Sequence, residues 1–404
     1  MERLVGVVRN YDWGDDTFIP QLLGRPVDGS PYAELWFGAH RSDPSGLAGS
    51  ALTLADAIEQ DPVGVVGDAE SGFPFLAKVL AAAAPLSIQV HPGASAARQG
   101  YAAENAAGIE LDAPNRTYRD PFPKPELVCA VRPLSAKCGL RDVPATLDLL
   151  TALQVEPLEG LRRILAAGPS PSASLGAALR HLFGLSSSQA ADLVQAVVRA
   201  AGRLDLPRWA HELDWTVRLA RHFPHDIGVV VALLLNHVEL APGDAMYLGA
   251  GNMHSYLRGV AVEVMGPSDN VIRGGLTAKH IDTAELLRQV DTTPITPDVQ
   301  SAAGPVHAYR IDRDAFGLAR IDLTHSGPIR LWGPGVVVLA GNGQANLIAE
   351  DSSTGEDRPG SPPLVISGGQ AGLVRADDGM VRVSGSGVVH WAHGGGWTYE
   401  TARR

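Results

Sequence analysis

A change of pattern along the chain constrains its fold more than any single motif does. Residues 1–142 contain short apolar runs separated by turns rich in Gly and Pro, which is typical of β structure. From 143 to 225 the apolar residues recur at helical spacing, and residues 226–299 return to strands and turns apart from a predicted helix over 283–290. We therefore predict a mainly β fold in which a helical domain is inserted between two parts of one β domain.

The last part of the chain, residues 300–404, is predicted to be a second β module. A linker over 300–305 precedes short apolar runs set among glycines, and this part holds few candidate catalytic side chains. Its segment 350–362 is polar and rich in Gly, Pro and Ser, which indicates an exposed loop. No repeat of fixed period points to a solenoid.

The net charge limits the kinds of ligand and surface that the protein can bind. A net charge of −11 over 404 residues argues against a general nucleic-acid or membrane surface, so an anionic ligand would need a local cluster of Lys and Arg.

Two cysteines fit a reducing compartment. The N-terminus lacks a signal-peptide pattern, and the longest apolar run, 227–235, is too short to span a bilayer. We expect a cytoplasmic protein that is a monomer or a weak homo-oligomer.

The segment 86–92, Leu-Ser-Ile-Gln-Val-His-Pro, is the most informative local pattern. On an extended strand, Ser87, Gln89 and His91 point to one face and the apolar residues between them to the other. A row of hydroxyl, amide and imidazole groups indicates a strand that lines a polar pocket. The imidazole can bind a metal ion, and the amide oxygen can assist it.

Four side chains are candidate metal ligands: Gln89, His91, Glu126 and His254. Two imidazoles and a carboxylate suit zinc, although iron, manganese or nickel would also fit. The four lie far apart in sequence, as in a barrel whose strands converge, so their spacing adds little support. The chain has 13 histidines, and each of the two chosen here has the alternative of an ordinary surface or core position. His237 alternates with apolar neighbours, and we interpret it as a strand residue outside any polar pocket.

Lys124 precedes Glu126 by two residues, so both point to one face if the segment is extended. Pro123 and Pro125 favour extension. A lysine beside a metal-bound carboxylate can bind an anion or shuttle a proton. The alternative is an ordinary surface salt bridge.

A third group contains Glu263, Arg273 and Lys279. Arg273 follows an apolar stretch and precedes two glycines. An arginine in such a place often presents its guanidinium to a phosphate or a developing oxyanion. The alternative is a buried structural ion pair between Arg273 and Glu263.

Together these segments resemble, in order, the type I mannose-6-phosphate isomerases of the cupin superfamily. The resemblance is detailed over 1–140 and 228–290 and is one of architecture elsewhere. The matching segments are 11–14, 33–40, 75–80, 85–92, 124–126, 242–246, 254–257 and 268–273.

The resemblance implies a cupin-type jelly-roll catalytic domain, an inserted helical domain and a degenerate cupin-like module at the C-terminus. It implies one zinc ion per chain, held by the four candidate ligands above. It also implies interconversion of D-mannose 6-phosphate and D-fructose 6-phosphate, which supplies mannose for GDP-mannose and glycan synthesis.

An aldose–ketose isomerase needs a base and a group that stabilises an enediolate. Arg273 matches the family's active-site arginine, and we expect either Lys124 or Glu263 to shuttle the proton. Many family members have Asn-His before the Lys-Pro-Glu sequence, but Phe122 and Pro123 stand there in this chain, so that base is absent.

The resemblance also assigns residues to the substrate pocket: Ser87, Lys78, Tyr256 and Lys279. We expect the phosphate group to bind some of Ser87, Lys78, Lys124 and Lys279. Two other functions stay open from the residues alone, a metal-dependent cupin oxygenase and a non-catalytic cupin that binds a sugar phosphate.

Overall fold

The computed structural model describes residues 1–68, 72–311, 316–395 and 398–401. These residues form the following strands: β1 (Glu2–Val5), β2 (Val7–Arg9), β3 (Glu34–Gly38), β4 (Gly46–Leu47), β5 (Leu76–Ala82), β6 (Gln89–Val90), β7 (Glu126–Ala130), β8 (Leu134–Leu140), β9 (Leu235–Leu240), β10 (Asp244–Leu248), β11 (His254–Met265), β12 (Ile272–Arg273), β13 (Val299–Ser301), β14 (Val306–Ala308), β15 (Phe316–Asp322), β16 (Ile329–Trp332), β17 (Gly335–Val338), β18 (Gly343–Glu350), β19 (Leu364–Ser367), β20 (Ala371–Val374), β21 (Met380–Gly394) and β22 (Thr398–Thr401). They also form these α-helices: α1 (Phe18–Leu22), α2 (Leu54–Gln60), α3 (Pro62–Val66), α4 (Ala94–Ala106), α5 (Val143–Ala152), α6 (Glu159–Ala167), α7 (Pro171–Phe183), α8 (Ser187–Ala201), α9 (Ala210–His222), α10 (Gly228–Val231), α11 (Thr283–Gln289) and α12 (Leu323–Ser326). The mainly β fold with a helical insertion is therefore confirmed.

The long strand β11 joins the parts of the β domain that lie on either side of the helical insertion. Its residues 259–265 pair antiparallel with β5, and 261–265 pair with β7. Its residues 254–258 pair with β8, which also pairs with β9. Strands that precede residue 143 thus share one sheet with strands that follow residue 234.

Helices α5 to α9 occupy the predicted helical block. Ser186 caps α8: its hydroxyl accepts from the backbone N–H of Gln189, whose side chain accepts from the N–H of Ser186. The apolar sides of the helices form one core with Val90 of β6 and with Ile88, which lies just before that strand. The insertion therefore packs directly on the strand that was expected to line a pocket.

One local expectation was wrong. Residues 228–234 were expected in strands and turns, but they form α10 and a 3-10 turn. The carboxylate of Asp226 accepts the backbone N–H of Gly228 at the start of this turn. The valines that follow are fully buried in the core shared with the helices, so burial there replaces pairing in a sheet.

The C-terminal module packs against the first β domain through a shared apolar core. Leu35 and Val79 of the first sheet and Val336 and Leu373 of the second belong to one buried cluster. Strands β1 and β4 lie in the second sheet although they precede residue 142, since β1 pairs with β20 and with β4. The division of the chain into four domain segments stays a prediction.

Across the described part of the chain, no helix combines the length and the apolar character needed to cross a bilayer.

Candidate metal centre and substrate pocket

Three buried side chains converge where β6, β7 and β11 begin or end. His91 follows β6, Glu126 opens β7 and His254 opens β11. The Nε2 atom of His91 lies 3.2 Å from one carboxylate oxygen of Glu126, and Nε2 of His254 lies 3.3 Å from the other. One potential ligand atom from each of the three side chains lies within 4.8 Å of the other two, a separation that a divalent ion can bridge.

The other ring nitrogen of each histidine is held by a backbone carbonyl. Nδ1 of His91 lies 2.8 Å from the carbonyl oxygen of Asn270, and Nδ1 of His254 lies 3.0 Å from that of Asn252. When Nδ1 donates its proton in these bonds, Nε2 is the nitrogen free to bind a metal. Nε2 of His91 is also buried without a well-formed hydrogen bond among the described residues. This arrangement fits a metal ion and leaves a polar atom unsatisfied without one.

The protonation states in this cluster suit metal binding. Burial and the nearby Lys124 lower the pKa of His91 to about 4, so its imidazole is neutral near pH 7. Burial opposes ionisation of Glu126, but Lys124 and His91 outweigh that effect and hold its pKa well below the usual value. Nζ of Lys124 lies 2.8 Å from Oε1 of Glu126. Lys124 is buried, which excludes the alternative of a surface salt bridge.

Gln89 lies directly between His254 and Arg273 in the sheet. Its Cα is paired with His254 on one side and with Arg273 on the other, so the three side chains share a face. The Gln89 amide nitrogen donates to Ser87 Oγ at 3.3 Å. Because this bond uses the amide nitrogen, the carbonyl oxygen is the atom suited to a metal. Its role as the fourth ligand stays a prediction.

A second group of buried charges surrounds Lys78 on the floor of the pocket. Nζ of Lys78 lies 3.1 Å from Glu263 and 3.3 Å from Glu34, and the hydroxyl of Tyr256 donates to Glu263 at 2.8 Å. Burial opposes the charge on Lys78, but Glu34 and Glu263 outweigh it and raise its pKa. Burial and the charge on Glu126 raise the pKa of Glu263. The ion pair between Glu263 and Arg273 that the sequence left open does not form.

A group of cations also lines the pocket. Arg119, Arg273 and Lys279 lie close enough that each arginine lowers the pKa of Lys279, in addition to the effect of burial. Burial and Arg119 likewise lower the pKa of Arg273. No carboxylate within the described ranges forms an ion pair with any of the three. Such a cluster is suited to an anion.

A single cavity of about 770 Å³ brings nearly all of the predicted site residues together. His91 is the exception, because it is completely buried behind Glu126. The predicted residues that line the cavity are Lys78, Ser87, Gln89, Lys124, Glu126, His254, Tyr256, Glu263, Arg273 and Lys279.

Sequence reasoning missed several residues of this pocket, and among them Glu34 and Arg119 bear most on its charge. Glu34 accepts hydrogen bonds from Lys78 and from the indole N–H of Trp36. The sequence feature that could have revealed Glu34 is a carboxylate inside an otherwise apolar strand segment. Arg119 had no comparable signal, because only the fold brings it next to Arg273.

The chain is similar to known proteins along most of its length. The family model for the phosphomannose isomerase type I catalytic domain matches residues 1–143. The mannose-6-phosphate isomerase of Salmonella typhimurium is 36% identical, with 96% of this chain and 98% of that protein covered. That of Escherichia coli is 37% identical over the same shares. That of Rattus norvegicus is 34% identical, covering 71% of this chain and 72% of its own.

Solved structures agree with these matches. A zinc-bound mannose 6-phosphate isomerase superposes with a TM-score of 0.84 at 33% identity, covering 98% of this chain and 99% of its own. The apo form from Salmonella typhimurium gives the same values. The cupin-type jelly-roll fold predicted from the sequence is confirmed.

Proposed function

The chain belongs to the type I phosphomannose isomerase family and is an enzyme with mannose-6-phosphate isomerase activity, and we propose that it interconverts D-mannose 6-phosphate and D-fructose 6-phosphate by proton transfer through an enediolate. The observation that carries this proposal is the presence of two groups of side chains at one cavity. The first is the set of three convergent metal-ligand side chains beside a buried Lys78–Glu263 pair, and the second is a group of three cations without carboxylate partners among the described residues.

We assign the binding of one Zn²⁺ to His91, Glu126 and His254, with Gln89 as the fourth ligand. The unsatisfied Nε2 of His91 and the backbone anchors on both Nδ1 atoms support this assignment. When bound, zinc supplies a Lewis acid that polarises the sugar carbonyl oxygen. The side chains around it orient the open-chain sugar and exclude water.

Arg119 and Lys279 would hold the phosphate group. The sequence-based expectation gave that role to some of Ser87, Lys78, Lys124 and Lys279, so Arg119 is an addition to it. Lys78 contacts two carboxylates and Lys124 contacts Glu126, so their charges are already compensated. A phosphate beside Lys78 or Lys124 would also lie close to the carboxylates of Glu263 and Glu126, which repel it.

Glu263 is the favoured proton shuttle between C1 and C2. Lys78 and Tyr256 donate to its two oxygens and so fix the carboxylate at the cavity wall. Lys124 is the alternative, although its ammonium group is engaged by Glu126. Arg273, placed beside Gln89 in the sheet, would offset the charge that develops on the enediolate oxygens.

A coupled assay on mannose 6-phosphate, with mass spectrometry of the product formed in deuterated water, tests this proposal. We expect turnover by the zinc-loaded enzyme, and a loss of about 100-fold or more in Glu263→Gln. Glu59→Gln, at an exposed position on α2, is the control. Near-normal turnover and deuterium uptake in both Glu263→Gln and Lys124→Gln would exclude both candidate bases. Oxygen consumption, or sugar-phosphate binding without turnover, would instead favour an oxygenase or a sensor.

A supply of mannose for GDP-mannose and glycan synthesis follows from this reaction as part of the same proposal. A strain in which this gene is deleted should then depend on added mannose for its mannose-containing glycans. Normal glycans without added mannose would separate the enzyme from that supply.

A further inference from the structure

Three ligand-type side chains meet outside the catalytic cavity, where the helical insertion contacts the first sheet. His237 and Glu239 are two residues apart on β9 and so point to the same face. His211, in the first turn of α9, stacks on His237 with ring centroids 5.1 Å apart and an interplanar angle of 18°. One donor atom from each of the three lies within 4.8 Å of the other two.

The hydrogen bonds of His237 leave one ring nitrogen without a partner. Nε2 lies 2.7 Å from Oε1 of Glu239, while Nδ1 is buried with no hydrogen-bond partner among the residues that the structure describes. A metal ion is one partner that would satisfy such a buried nitrogen.

Solvent can reach this group of side chains, and a hydrogen bond from the sheet fixes the orientation of its carboxylate. The side chain of His237 is 6% exposed, but that of Glu239 is 43% exposed and His211 is also exposed. Ser135 on β8 lies opposite Glu239 and donates to its carboxylate at 2.8 Å. A solvated ion can therefore reach a carboxylate whose orientation is already fixed.

The charges around this group permit a cation. Lys137 lies opposite His237 in the β8–β9 pair, and among the described residues it forms no ion pair with Glu239. Arg141, on the same side, is paired with Glu212 of α9 at 2.7 Å. The carboxylate of Glu239 is thus not neutralised by a full ion pair with an adjacent lysine or arginine.

We propose that His211, His237 and Glu239 form a second binding site for a divalent transition-metal ion of the Zn²⁺ class, separate from the catalytic centre. Two imidazoles and one carboxylate are a ligand set that such ions favour, with water in the remaining position. Ligand atoms around a tetrahedral zinc ion lie roughly 3.4 Å apart. Small side-chain rotations would bring the three ligand atoms from their present separation to that distance. The bound ion would link α9 of the helical insertion to β9 of the catalytic sheet.

Calorimetric titration with Zn²⁺ tests the proposal on the full-length enzyme already loaded with one zinc per chain. We expect a second, weaker binding event with a stoichiometry near one in the wild type. The event should be lost in His211→Ala and in His237→Asn. His225→Ala, which removes an exposed histidine just beyond α9, should keep it. Circular dichroism of each variant checks the fold, and the exposed position of His211 makes that variant the more informative of the two.

Thermal unfolding gives a second readout that does not depend on catalysis. An excess of Zn²⁺ over the first equivalent should raise the Tm of the wild type and of His225→Ala by a few degrees, but not that of His211→Ala. With Cu²⁺ in the second site, nitrogen couplings in the electron paramagnetic resonance spectrum should decrease in His211→Ala. The proposal is overturned if the wild type binds only one ion per chain, or if His211→Ala still binds two.

Discussion

Lys78 and Glu263 face each other across β5 and β11, with the ammonium nitrogen 3.1 Å from a carboxylate oxygen and both side chains buried. Glu34 approaches the same ammonium from the neighbouring strand β3. One buried cation thus compensates two buried carboxylates, and this arrangement sets the charge of the pocket floor beside the metal ligands.

Replacing Lys78 by Met should destabilise the fold by about 3–5 kcal/mol, because it leaves two buried carboxylates without their cation. Adding Glu263→Gln should recover part of this loss, since the two residues are directly coupled. Urea unfolding of the zinc-loaded protein measures both effects. Lys279→Met, at an exposed lysine, serves as the control. A loss below about 1 kcal/mol in Lys78→Met would contradict the compensation described here.

Removing zinc with a chelator should abolish turnover and lower the Tm, and adding zinc should restore both. The assignment of Gln89 as the fourth ligand makes a finer prediction. Chelator competition should show the zinc affinity of Gln89→Ala reduced about tenfold, and that of His254→Ala reduced much further. Gln99→Ala, at an exposed glutamine on α4, should bind zinc normally. Unchanged affinity in Gln89→Ala would remove that residue from the ligand set.

Arg119→Gln and Lys279→Gln should each raise KM for mannose 6-phosphate about tenfold or more, with little change in kcat. A hydrogen bond to a charged group contributes about 1.5–3 kcal/mol, and these two contacts are proposed to be equally strong in the ground state and the transition state. Arg273→Gln should instead lower kcat. Steady-state kinetics distinguish the two patterns, with Arg98→Gln on α4 as the control. If Lys124→Gln or Lys78→Gln alone shows the KM pattern, the phosphate lies beside that lysine instead.

Residue chemistry singled out His91, Glu126 and His254, which the fold brings within 4.8 Å of one another. Local rules explain only part of this selection: strand alternation places Gln89 and His91 on one face, whereas Glu126 and His254 come from distant segments. The charge partners of Lys78 could not be predicted in the same way. They depend on the register of β3, β5 and β11, and Glu34 and Glu263 lie 229 residues apart in the chain, a separation that follows from their numbering. Arg119 could not be predicted either, because only the fold brings it next to Arg273.

His390 should make the stability of the protein sensitive to acid. It lies on β21 between the two β modules, with Nε2 3.7 Å from Cys129 Sγ and Nδ1 lacking a hydrogen-bond partner in the described structure. Burial and the nearby Arg320 lower its pKa from 6.5 to about 3. Below pH 6.5 the unfolded chain binds a proton here that the folded protein does not, so stability present above pH 6.5 is lost as the pH falls toward 3.

Between pH 7 and pH 5 this linkage amounts to roughly 2 kcal/mol, since one pH unit corresponds to about 1.4 kcal/mol for one proton. The variant His390→Leu removes the titrating ring, so its free energy of unfolding should fall less over this interval than that of the wild type by about that amount. Urea unfolding at several pH values measures the two slopes. His225→Ala, which removes an exposed histidine, is the control. Parallel slopes for His390→Leu and the wild type would mean that the His390 ring gains a proton in the folded protein as readily as in the unfolded chain.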